Sequence, residues 1–418
     1  MAKIAYDVTE VLAQSFGRDV HYGIARVVAE IAYQLAKSEH EVKFVLFSPG
    51  HRKFFEVSPK QDPHAYSGIN LNIPNGVKPL KFRSGYPRRN FFRDLFGPIE
   101  IRIVRVKNRR RWKRAGIELP EADLSGYKLF SAARPEIIAN MANTLRKKRL
   151  NTEIFALLHD FIPLHEAYEH YGTKVAQNFL YDNNYIIERA DVIVPNSHFT
   201  ANDLLQLVEK GILRRPKKIS VLQLAQESIK SGEHENIFLP DAPFFLMVGT
   251  QLGRKNLEVV LEAMRLLRDS NRAVPMLILA GRQRNSIVNY INRPEFESIR
   301  EQIRFIVYPN QTDLNRLYET ALATIIPSKM EGWGLPAGEA LHLGCPVISA
   351  NADALMECCG DLGTYFNPED AGELADLMEL YATDETFRNK QKDKVAAGRS
   401  NLRSWKAVMH DLVSIMVD

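Results

Sequence analysis

Short apolar runs and helix-spaced apolar positions follow one another along most of the chain. In the first half, residues 3–7, 41–47, 153–158 and 191–194 are short apolar runs that predict strands. Between the first two runs, apolar side chains recur at helical spacing, at Ile24, Val27, Val28, Ile31 and Leu35. A strand, a loop, a helix and a second strand in this order predict the start of a parallel α/β sheet.

The same alternation starts again in the second half. Five more strands are predicted from apolar runs, at residues 244–248, 276–280, 303–307, 323–327 and 346–349. Residues 226–241 are polar and aperiodic, so we interpret them as an interdomain linker. The pattern therefore predicts an N-terminal α/β domain over residues 1–225 and a C-terminal α/β domain over residues 242–398.

Two segments depart from this alternation. Residues 50–125 are rich in Pro, Gly and basic side chains, and we interpret them as an irregular insertion on the N-terminal domain. Residues 399–418 predict a final helix. Its apolar face is formed by Trp405, Val408, Leu412 and Met416.

Positive charge is concentrated in one segment. Residues 81–114 hold 13 Lys and Arg side chains against only Asp94 and Glu100, which gives +11 in a chain whose net charge is +5. Aromatic side chains lie among these cations. The segment is either a solvated face, a contact with an anionic membrane or lipid-diphosphate acceptor, or a nucleic-acid surface. We favour the membrane, because cations and aromatic rings suit an anionic interface, and no nucleic-acid-reading module is visible.

Cysteine usage and hydropathy set the expected compartment. Cys345, Cys358 and Cys359 have a spacing that fits neither a zinc site nor a disulfide framework. The first residues lack the apolar core of a signal peptide, and no run of about 18 apolar residues is present. We therefore expect a cytoplasmic protein, with any peripheral contact on the inner face of the membrane.

A glycine-rich turn carries the strongest chemical signal. Gly332 and Gly334 allow a tight turn with exposed backbone amides, and Pro336 starts a helix directly after it. A helix N-terminus with free N–H groups attracts phosphate. Glu331 and Glu339 flank the turn, and their carboxylates suit hydrogen bonds from sugar and ribose hydroxyls. A glycine turn with one capping and one solvated glutamate is the alternative.

A second motif joins a strand to a helix at residues 248–256. Arg254 and Lys255 are adjacent cations, and Asn256 can cap the following helix. In parallel sheets, ligands bind beyond the carboxyl ends of the strands. The two cations are therefore placed to bind a diphosphate through charge-assisted hydrogen bonds. Two solvated surface cations are the alternative.

Together, the two motifs resemble those of the retaining GT-B glycosyltransferases of glycosyltransferase family 4. The resemblance implies a GT-B fold, with two Rossmann-like parallel-sheet domains facing across a cleft and the final helix crossing back to the N-terminal domain. The matching features are Gly249-Thr250, Arg254-Lys255-Asn256, Pro327-Ser328, Glu331 with Glu339, Gly344-Cys-Pro-Val347 and, in the first half, His159-Asp-Phe-Ile-Pro-Leu164 and Asn196-Ser197.

The resemblance implies a role for each part of the two motifs. Arg254 and Lys255 would bind the donor diphosphate. Glu331 would hold the donor sugar together with the backbone amides of the glycine turn, and Glu339 would bind the ribose hydroxyls. The remaining implied donor-binding positions are Gly23, Gly249, Thr250, Gly332, Trp333, Gly334 and Leu335.

His159 resembles the family histidine that contacts the donor sugar near the reacting carbon. A strand-end histidine capped by Asp160 is the alternative. Two features depart from the family pattern: the loop that contains Gly23 is longer than the usual Gly-Gly turn, and residues 308–310 replace a glycine-containing turn near the nucleobase. The implied catalytic residues are His159, Arg254, Lys255 and Glu331.

The expected mechanism needs no metal. No Asp-x-Asp sequence occurs in the chain, so we expect Arg254, Lys255 and the helix N-terminus to stabilise the leaving diphosphate in place of a metal ion. We expect no cofactor beyond the nucleotide-sugar donor, which is a co-substrate. No side chain stands out as a nucleophile, and the resemblance implies a front-face substitution that gives an α-linked product from an α-linked donor.

The predicted reaction is transfer of a hexose onto a glycan or lipid-linked acceptor in cell-surface polysaccharide synthesis. We prefer GDP-mannose as the donor, because residues 159–164 look most like those of mannosyl- and rhamnosyl-transferring relatives. A UDP- or dTDP-sugar donor is one alternative. A GT-B sugar-nucleotide epimerase and a non-catalytic GT-B scaffold are two others, and nucleic acid is not an expected partner.

Overall fold

The chain folds into two compact units. The computed structural model describes residues 3–14, 23–62, 69–72, 80–82, 91–165, 172–228, 239–240, 242–249 and 251–417. The first unit comprises Met1–Leu224 and Trp405–Asp418, and the second comprises Ala225–Ser404. Each unit contains a six-stranded sheet.

The first sheet has a parallel core of five strands and an antiparallel edge strand, in the order β3-β2-β1-β6-β7-β8. Ile4 and Tyr6 in the central strand are fully buried, as the apolar runs predict. The strands are β1 (Lys3–Asp7), β2 (Glu41–Ser48), β3 (Lys53–Val57), β4 (Lys60–Gln61), β5 (Ile69–Asn70), β6 (Lys128–Ser131), β7 (Ile154–Leu158) and β8 (Val192–Pro195), of which β4 and β5 form a separate pair.

Helices cover this sheet through apolar faces. Ser197 caps one of them by accepting a hydrogen bond from the backbone N–H of Thr200 at 2.9 Å. The helices are α1 (Thr9–Gln14), α2 (Ile24–Ala36), α3 (Phe91–Arg114), α4 (Pro135–Lys148), α5 (Gly172–Ile187) and α6 (His198–Glu209).

The expectation that residues 50–125 are irregular is wrong for much of their described part. β3 joins the sheet, and α3 is a helix of 24 residues. One face of α3 packs against the rest of the first unit. Asn108 and Trp112 on this face are buried, and the Trp112 ring lies 5.0 Å from the ring of Phe55. Pro98 and the dense run of like charges conceal this face in the sequence, because both disfavour an isolated helix.

The second sheet is entirely parallel, in the order β11-β10-β9-β12-β13-β14. This is the strand order of a Rossmann fold. The strands are β9 (Phe244–Val248), β10 (Met276–Gly281), β11 (Ile303–Val307), β12 (Ala323–Ile326), β13 (Val347–Ala350) and β14 (Thr364–Phe366). The helices are α7 (Leu257–Asp269), α8 (Asn285–Ile291), α9 (Gln311–Thr320), α10 (Leu335–His342), α11 (Asp353–Cys359), α12 (Ala371–Thr383) and α13 (Glu385–Gly398).

The start of the predicted linker packs on the second unit. Gln226 donates from Nε2 to the carbonyl of Cys358 at 2.8 Å, and its backbone N–H donates to Arg403 at 3.0 Å. Gly338 of α10 lies against Gln226 so closely that an added Cβ would be 2.8 Å from its Cα. Residues 225–228 are therefore part of the second unit, and residues 229–238 and 241 lie outside the described residues.

The final helix, α14 (Trp405–Val417), belongs to the first unit. It packs on α2, and the Lys128 side chain donates to the carbonyl of Met416 at 2.7 Å. Trp405, Val408, Leu412 and Met416, which define its predicted apolar face, are all fully buried. The chain thus leaves the first unit, builds the second and returns.

Candidate active site

The candidate site lies at the point of the second sheet where the strand order reverses. β9 is central, with β10 on one side and β12 on the other, so the loops after β9 and β12 run to opposite sides and open a crevice. The first loop holds Arg254 and Lys255. The second holds Glu331 and the glycine turn. Topology therefore brings the two predicted motifs together.

Glu331 forms ion pairs with both predicted cations. Its Oε2 lies 2.9 Å from Arg254 Nη1, and its Oε1 lies 2.5 Å from Lys255 Nζ. Arg254 also donates to the carbonyl of Met330 at 2.9 Å, and the backbone N–H of Lys329 donates to the carbonyl of Arg254 at 2.9 Å. Main-chain and side-chain contacts thus fasten the two loops to each other.

The electrostatics of this cluster keep Glu331 ionised. Burial alone would raise the pKa of its carboxyl, but the charges of Lys255 and Arg254, with hydrogen bonds to the carboxylate, lower the pKa to about 2. The three side chains are 12 to 18% exposed. Two cations and one carboxylate leave a net charge of +1, which favours an anionic ligand.

Two glycines shape the loops. Gly249 has φ of 80°, and a Cβ there would lie 4.0 Å from the Lys255 side chain. Gly334 has φ of 106° and precedes the first turn of α10, and a Cβ there would lie 2.7 Å from Leu355. The predicted Thr250 lies outside the described residues.

The glycine turn presents backbone amides at the start of α10. Within the described chain, the N–H groups of Trp333, Gly334 and Leu335 donate no hydrogen bond, as expected for the first turn of a helix. The Trp333 indole is buried and donates to the carbonyl of Ala225 at 3.1 Å. The predicted role of Trp333 therefore rests on its backbone.

Glu339 lies apart from the ion-pair cluster, on the buried side of α10. It is 3% exposed, and the Tyr318 hydroxyl donates to its Oε2 at 3.3 Å. Its predicted contact with ribose hydroxyls stays a prediction. The contact requires a ligand that reaches this buried carboxylate.

Tyr308 follows β11, where the family pattern has a glycine-containing turn. Its φ is 54°, in the left-handed region that favours glycine. Its backbone N–H donates to the carbonyl of Gly281 at 3.0 Å, and Asn310 caps α9 by accepting from the backbone of Asp313. The glycine-like backbone is therefore present, with an aromatic side chain added to it.

His159 follows β7 in the first unit. Its Nε2 lies 2.7 Å from the carbonyl of Ala132, so this nitrogen carries the proton and donates. Burial lowers the pKa of the ring, against smaller opposite effects of the Ala132 hydrogen bond and Glu10. The ring is thus held neutral, with Nδ1 as its acceptor. Its predicted contact with a donor sugar is untested.

Gly23 is the residue that precedes α2. Arg26 and Glu30 in this helix form a buried pair, with 3.6 Å between Nε and Oε1. Residues 15–22 of the preceding loop lie outside the described residues. The predicted donor contact of Gly23 therefore stays a prediction.

Two negative findings concern the described residues. In those ranges, no group of three or more His, Cys, Asp and Glu side chains is arranged to hold a metal ion. In the same ranges, no helix combines the length and the apolar character needed to cross a bilayer.

Residues 230–398 match the family model of glycosyl transferases group 1. This part of the chain is a glycosyltransferase group 1 domain. The domain includes both predicted motifs and the whole second sheet. The comparison thus agrees with the glycosyltransferase character that the two motifs suggest.

Relatives and solved structures extend the comparison beyond the group 1 domain. The chain is 27% identical over 261 residues to the serotype-specific mannosyltransferase WbdA of Escherichia coli, covering 60% of this chain and 32% of that protein. It is 32% identical over 148 residues to the O-antigen chain mannosyltransferase B of Escherichia coli, covering 35% and 38%. The chain thus spans about a third of the length of these curated relatives.

The fold comparison covers the complete chain. The structure of Anabaena Alr3699/HepE in complex with UDP and glucose matches all of both chains, with a TM-score of 0.62 and 15% identity. The two parallel-sheet units of this chain therefore form the GT-B fold, with the group 1 domain as the second unit.

The structure contains a buried acidic cluster at the carboxyl ends of β1 and β6 that the sequence motifs did not predict. Asp7 accepts hydrogen bonds from the Ser131 hydroxyl at 2.6 Å and from the backbone of Thr9 at 2.9 Å, and burial raises its pKa to about 6. Glu10 is fully buried and forms an ion pair of 2.9 Å with Arg134. The sequence signal that could have predicted this cluster is the pair of acidic residues Asp7 and Glu10, at and just after the end of the predicted first strand.

Ser328 is a further site residue, for which the sequence motifs predicted no role. It is 1% exposed and hydrogen-bonds the Glu331 carboxylate. The sequence resemblance to glycosyltransferase family 4 included Ser328 only as part of the Pro327-Ser328 pair. In the structure it helps to fix the carboxylate that holds the two cations.

Proposed function

We propose that the protein is a retaining glycosyltransferase that moves mannose from GDP-mannose onto a glycan or lipid-linked acceptor. The observation that carries the proposal is the convergence of Arg254, Lys255 and Glu331 beside the unpaired amides of the α10 N-terminus. Such a site suits the diphosphate of a nucleotide-sugar donor. The mannosyltransferase relatives support the choice of sugar.

The proposed reaction uses these groups to stabilise the leaving diphosphate. The bond between the anomeric carbon and the phosphate oxygen breaks, and its electron pair passes to the nucleoside diphosphate. Arg254 and Lys255 then face the growing negative charge, which fixed cations stabilise without reorganisation. Glu331 holds both cations in place before the donor binds and is available to sugar hydroxyls afterwards.

The acceptor hydroxyl attacks from the face that the diphosphate leaves. Its oxygen bonds to the anomeric carbon, and its proton passes to the departing phosphate oxygen. No protein nucleophile or metal ion takes part in this scheme. The neutral His159 ring would accept a hydrogen bond from a sugar hydroxyl at Nδ1 and so orient the donor.

A donor panel tests the proposed reaction. Release of nucleoside diphosphate is measured with GDP-mannose, UDP-glucose and dTDP-rhamnose, with and without a lipid-linked acceptor, and the product anomer is read by NMR. GDP-mannose should turn over fastest and give an α-linked product. Faster turnover of another donor would replace the proposed sugar, and a β-linked product would contradict retention.

The same panel separates the two other functions. A sugar nucleotide that changes configuration without releasing diphosphate would indicate an epimerase. A donor that binds tightly but is never consumed, with or without the acceptor, would indicate a scaffold. Either result would contradict the proposed glycosyl transfer.

We further propose that the outward face of α3 lies on an anionic membrane. Five of its large apolar side chains are 41 to 58% exposed, at Leu95, Phe96, Ile99, Ile103 and Val106. Exposed cations follow them on the same helix, at Lys107, Arg110, Lys113 and Arg114. An apolar stripe that continues into a basic one suits the boundary between acyl chains and anionic headgroups.

Vesicle sedimentation tests this contact. The protein should sediment with phosphatidylglycerol vesicles more than with phosphatidylcholine vesicles, and a double variant Ile99→Ser with Ile103→Ser should lose most of the binding. Equal binding to both vesicles would contradict the proposal. So would concentration-dependent dimerisation that the double variant abolishes, because the face would then be covered by a second copy.

A further inference from the structure

A second cationic site lies within the first unit. A cavity of about 280 Å³ is walled by the turn between β2 and β3, by α3 and by α4. The turn contributes Arg52, α3 contributes Arg105, and α4 contributes Lys147. Three separate elements therefore each direct at least one cation to the same cavity.

Among the described residues, these three cations have no acidic partner. Lys148 also lines the cavity, but it is paired with Glu121 at 3.3 Å. Within the described part of the chain, no ion pair engages Arg52, Arg105 or Lys147. The cavity thus concentrates positive charge that no acidic side chain in the described ranges neutralises.

The fold holds these charges together despite their repulsion. Burial, followed by the charges of Arg52 and Arg109, lowers the pKa of Arg105 to about 10. Burial, with Arg52 and Arg105, also lowers the pKa of Lys147. Arg52 has φ of 53°, in the left-handed region that side chains rarely adopt. Like charges and an unfavourable backbone at one place are typical of binding sites.

The wall formed by α4 is polar and preorganised. Asn140, Asn143 and Thr144 line the cavity and are at most 7% exposed. Asn140 is fixed by a 2.7 Å hydrogen bond to the carbonyl of Glu136, and Asn143 by a 3.2 Å bond from the Tyr185 hydroxyl. Buried amide and hydroxyl groups beside cations suit the oxygen atoms of a phosphate group.

We propose that this cavity binds a phosphate or diphosphate group at a site separate from the donor site. Its volume is at the lower limit of small-molecule pockets, which suits a phosphate or diphosphate group better than a complete sugar nucleotide. Arg52 and Arg105 bind its oxygen atoms with charge-assisted hydrogen bonds, and Lys147 adds a third charge. The group comes either from a phospholipid headgroup or acceptor, or from a free phosphorylated molecule.

Pyrophosphate titration calorimetry tests the site with two double variants of equal charge change. Arg105→Gln with Lys147→Gln removes two cavity cations. Arg215→Gln with Lys218→Gln removes two exposed cations of the first unit that lie outside both the cavity and α3, and serves as the control. The cavity variant should weaken one class of binding by about tenfold or more per lost charge-assisted bond, whereas the control should bind as the wild type does.

A Lys255→Gln variant separates this site from the donor site. The binding class that depends on Arg105 and Lys147 should persist in Lys255→Gln. If Lys255→Gln abolishes all pyrophosphate binding and the cavity variant changes none, the free-anion site is overturned while the proposed glycosyltransferase function stands. If the cavity class persists while Lys255→Gln retains full turnover, the proposed function fails instead.

Vesicles distinguish the two sources of the phosphate group. Phosphatidic acid vesicles present a phosphate monoester, and phosphatidylglycerol vesicles of equal charge present a diester. A loss of binding to phosphatidic acid vesicles that is specific to the cavity variant assigns the site to a lipid. Pyrophosphate binding without that loss assigns it to a free molecule. Equal behaviour of the cavity variant and its control with both probes would overturn the proposal.

Discussion

Glu331 shows how a single side chain joins two distant motifs. Arg254 and Lys255 precede it by 77 and 76 positions, and all three meet because their loops follow neighbouring strands of one sheet. The carboxylate offsets the repulsion between the two cations and keeps them at the crevice. Under the proposed function, an incoming diphosphate would meet a cation pair that is already in place, which reduces the cost of ordering the two side chains.

Loss of either cation should slow the reaction strongly. Arg254→Ala or Lys255→Ala should lower kcat by about 10²–10³-fold, the usual effect of removing one group that stabilises charge in the transition state. The measurement is donor turnover under saturating acceptor. Lys329→Ala is the matched control, because Lys329 is a neighbouring cation that pairs with Glu369 at 2.6 Å. Less than a tenfold loss at both sites would contradict the assigned role.

The low pKa of Glu331 makes a prediction about stability. The carboxyl is more acidic in the folded state than its usual value of 4.5, so its contribution is present above that pH and is lost as the pH falls towards 2. Glu331→Gln should therefore destabilise the protein by about 3 kcal/mol at pH 7 and by much less near pH 2.5. Denaturant unfolding at the two pH values measures the difference. An equal loss at both would show that the ion pairs do not set this pKa.

His159 predicts the acid limit of activity. Its pKa is lowered in the fold, so the neutral ring persists as the pH falls below 6.5. Below the lowered pKa the ring charges, Nδ1 ceases to accept a hydrogen bond, and the ring's contribution to stability is also lost. We expect kcat/KM to stay level through pH 6.5 and to fall at lower pH. If kcat/KM of the wild type instead falls with a midpoint above pH 6.5, and this fall is absent in His159→Gln, the ring is not held neutral by burial.

Asp7 should destabilise the protein when it ionises. Its pKa is raised to about 6, so its neutral form is favoured by folding, and this advantage is lost as the pH rises through 6. Asp7→Asn should therefore raise the free energy of unfolding at pH 8 by about 1–3 kcal/mol relative to its effect at pH 4. The comparison requires unfolding curves of both proteins at both values. A larger relative gain at pH 4 would reverse the inferred sign.

At the scale of elements, the sequence predicted the two parallel sheets well and the basic segment poorly. Strand runs such as residues 244–248 are apolar, short and bounded by turns, so local pattern and final environment agree. α3 lacks that agreement. Its buried face is set by contacts with residues far away in the chain, such as the bond from Asn108 Nδ2 to the carbonyl of Lys81 at 2.6 Å, which no local pattern contains.

The meeting of the two predicted motifs in the second unit was predictable for the same reason that the sheet was. Glycines, adjacent cations and a helix start are local signals, and the strand order then placed them together. The first-unit cavity was not predictable in this way, because Arg52, Arg105 and Lys147 come from three unrelated stretches. Only the packing of α3 and α4 shows that their charges converge.

Asn108 should contribute strongly to the packing of α3 on the rest of the first unit. Its amide makes two bonds with the backbone of Lys81, and it is fully buried. Asn108→Ala should destabilise the docked helix by about 1–3 kcal/mol, because it removes both hydrogen bonds that join the helix to the backbone of Lys81. Hydrogen exchange of residues 95–114 measures this effect. Arg110→Ala on the exposed face is the control, and equal exchange in the two variants would contradict the role of Asn108.

At the scale of the whole molecule, the fold is more than two units in succession. The first unit is incomplete without α14, which arrives only after the group 1 domain. The terminal helix buries Trp405 fully in the first unit, although its predecessor in the chain, Ser404, belongs to the second. The covalent order and the spatial order of the protein therefore differ.

The crossing helix has a consequence for the way the protein is made. A ribosome that has finished the first 224 residues has not yet supplied the helix that covers α2, whereas all of the second unit precedes that helix. At roughly 5–20 residues per second, the interval before α14 emerges is on the order of ten to forty seconds. During that time the apolar side chains awaiting α14 are open to chaperones or to misassembly. Of these two units, the one that begins earlier in the chain is thus completed later.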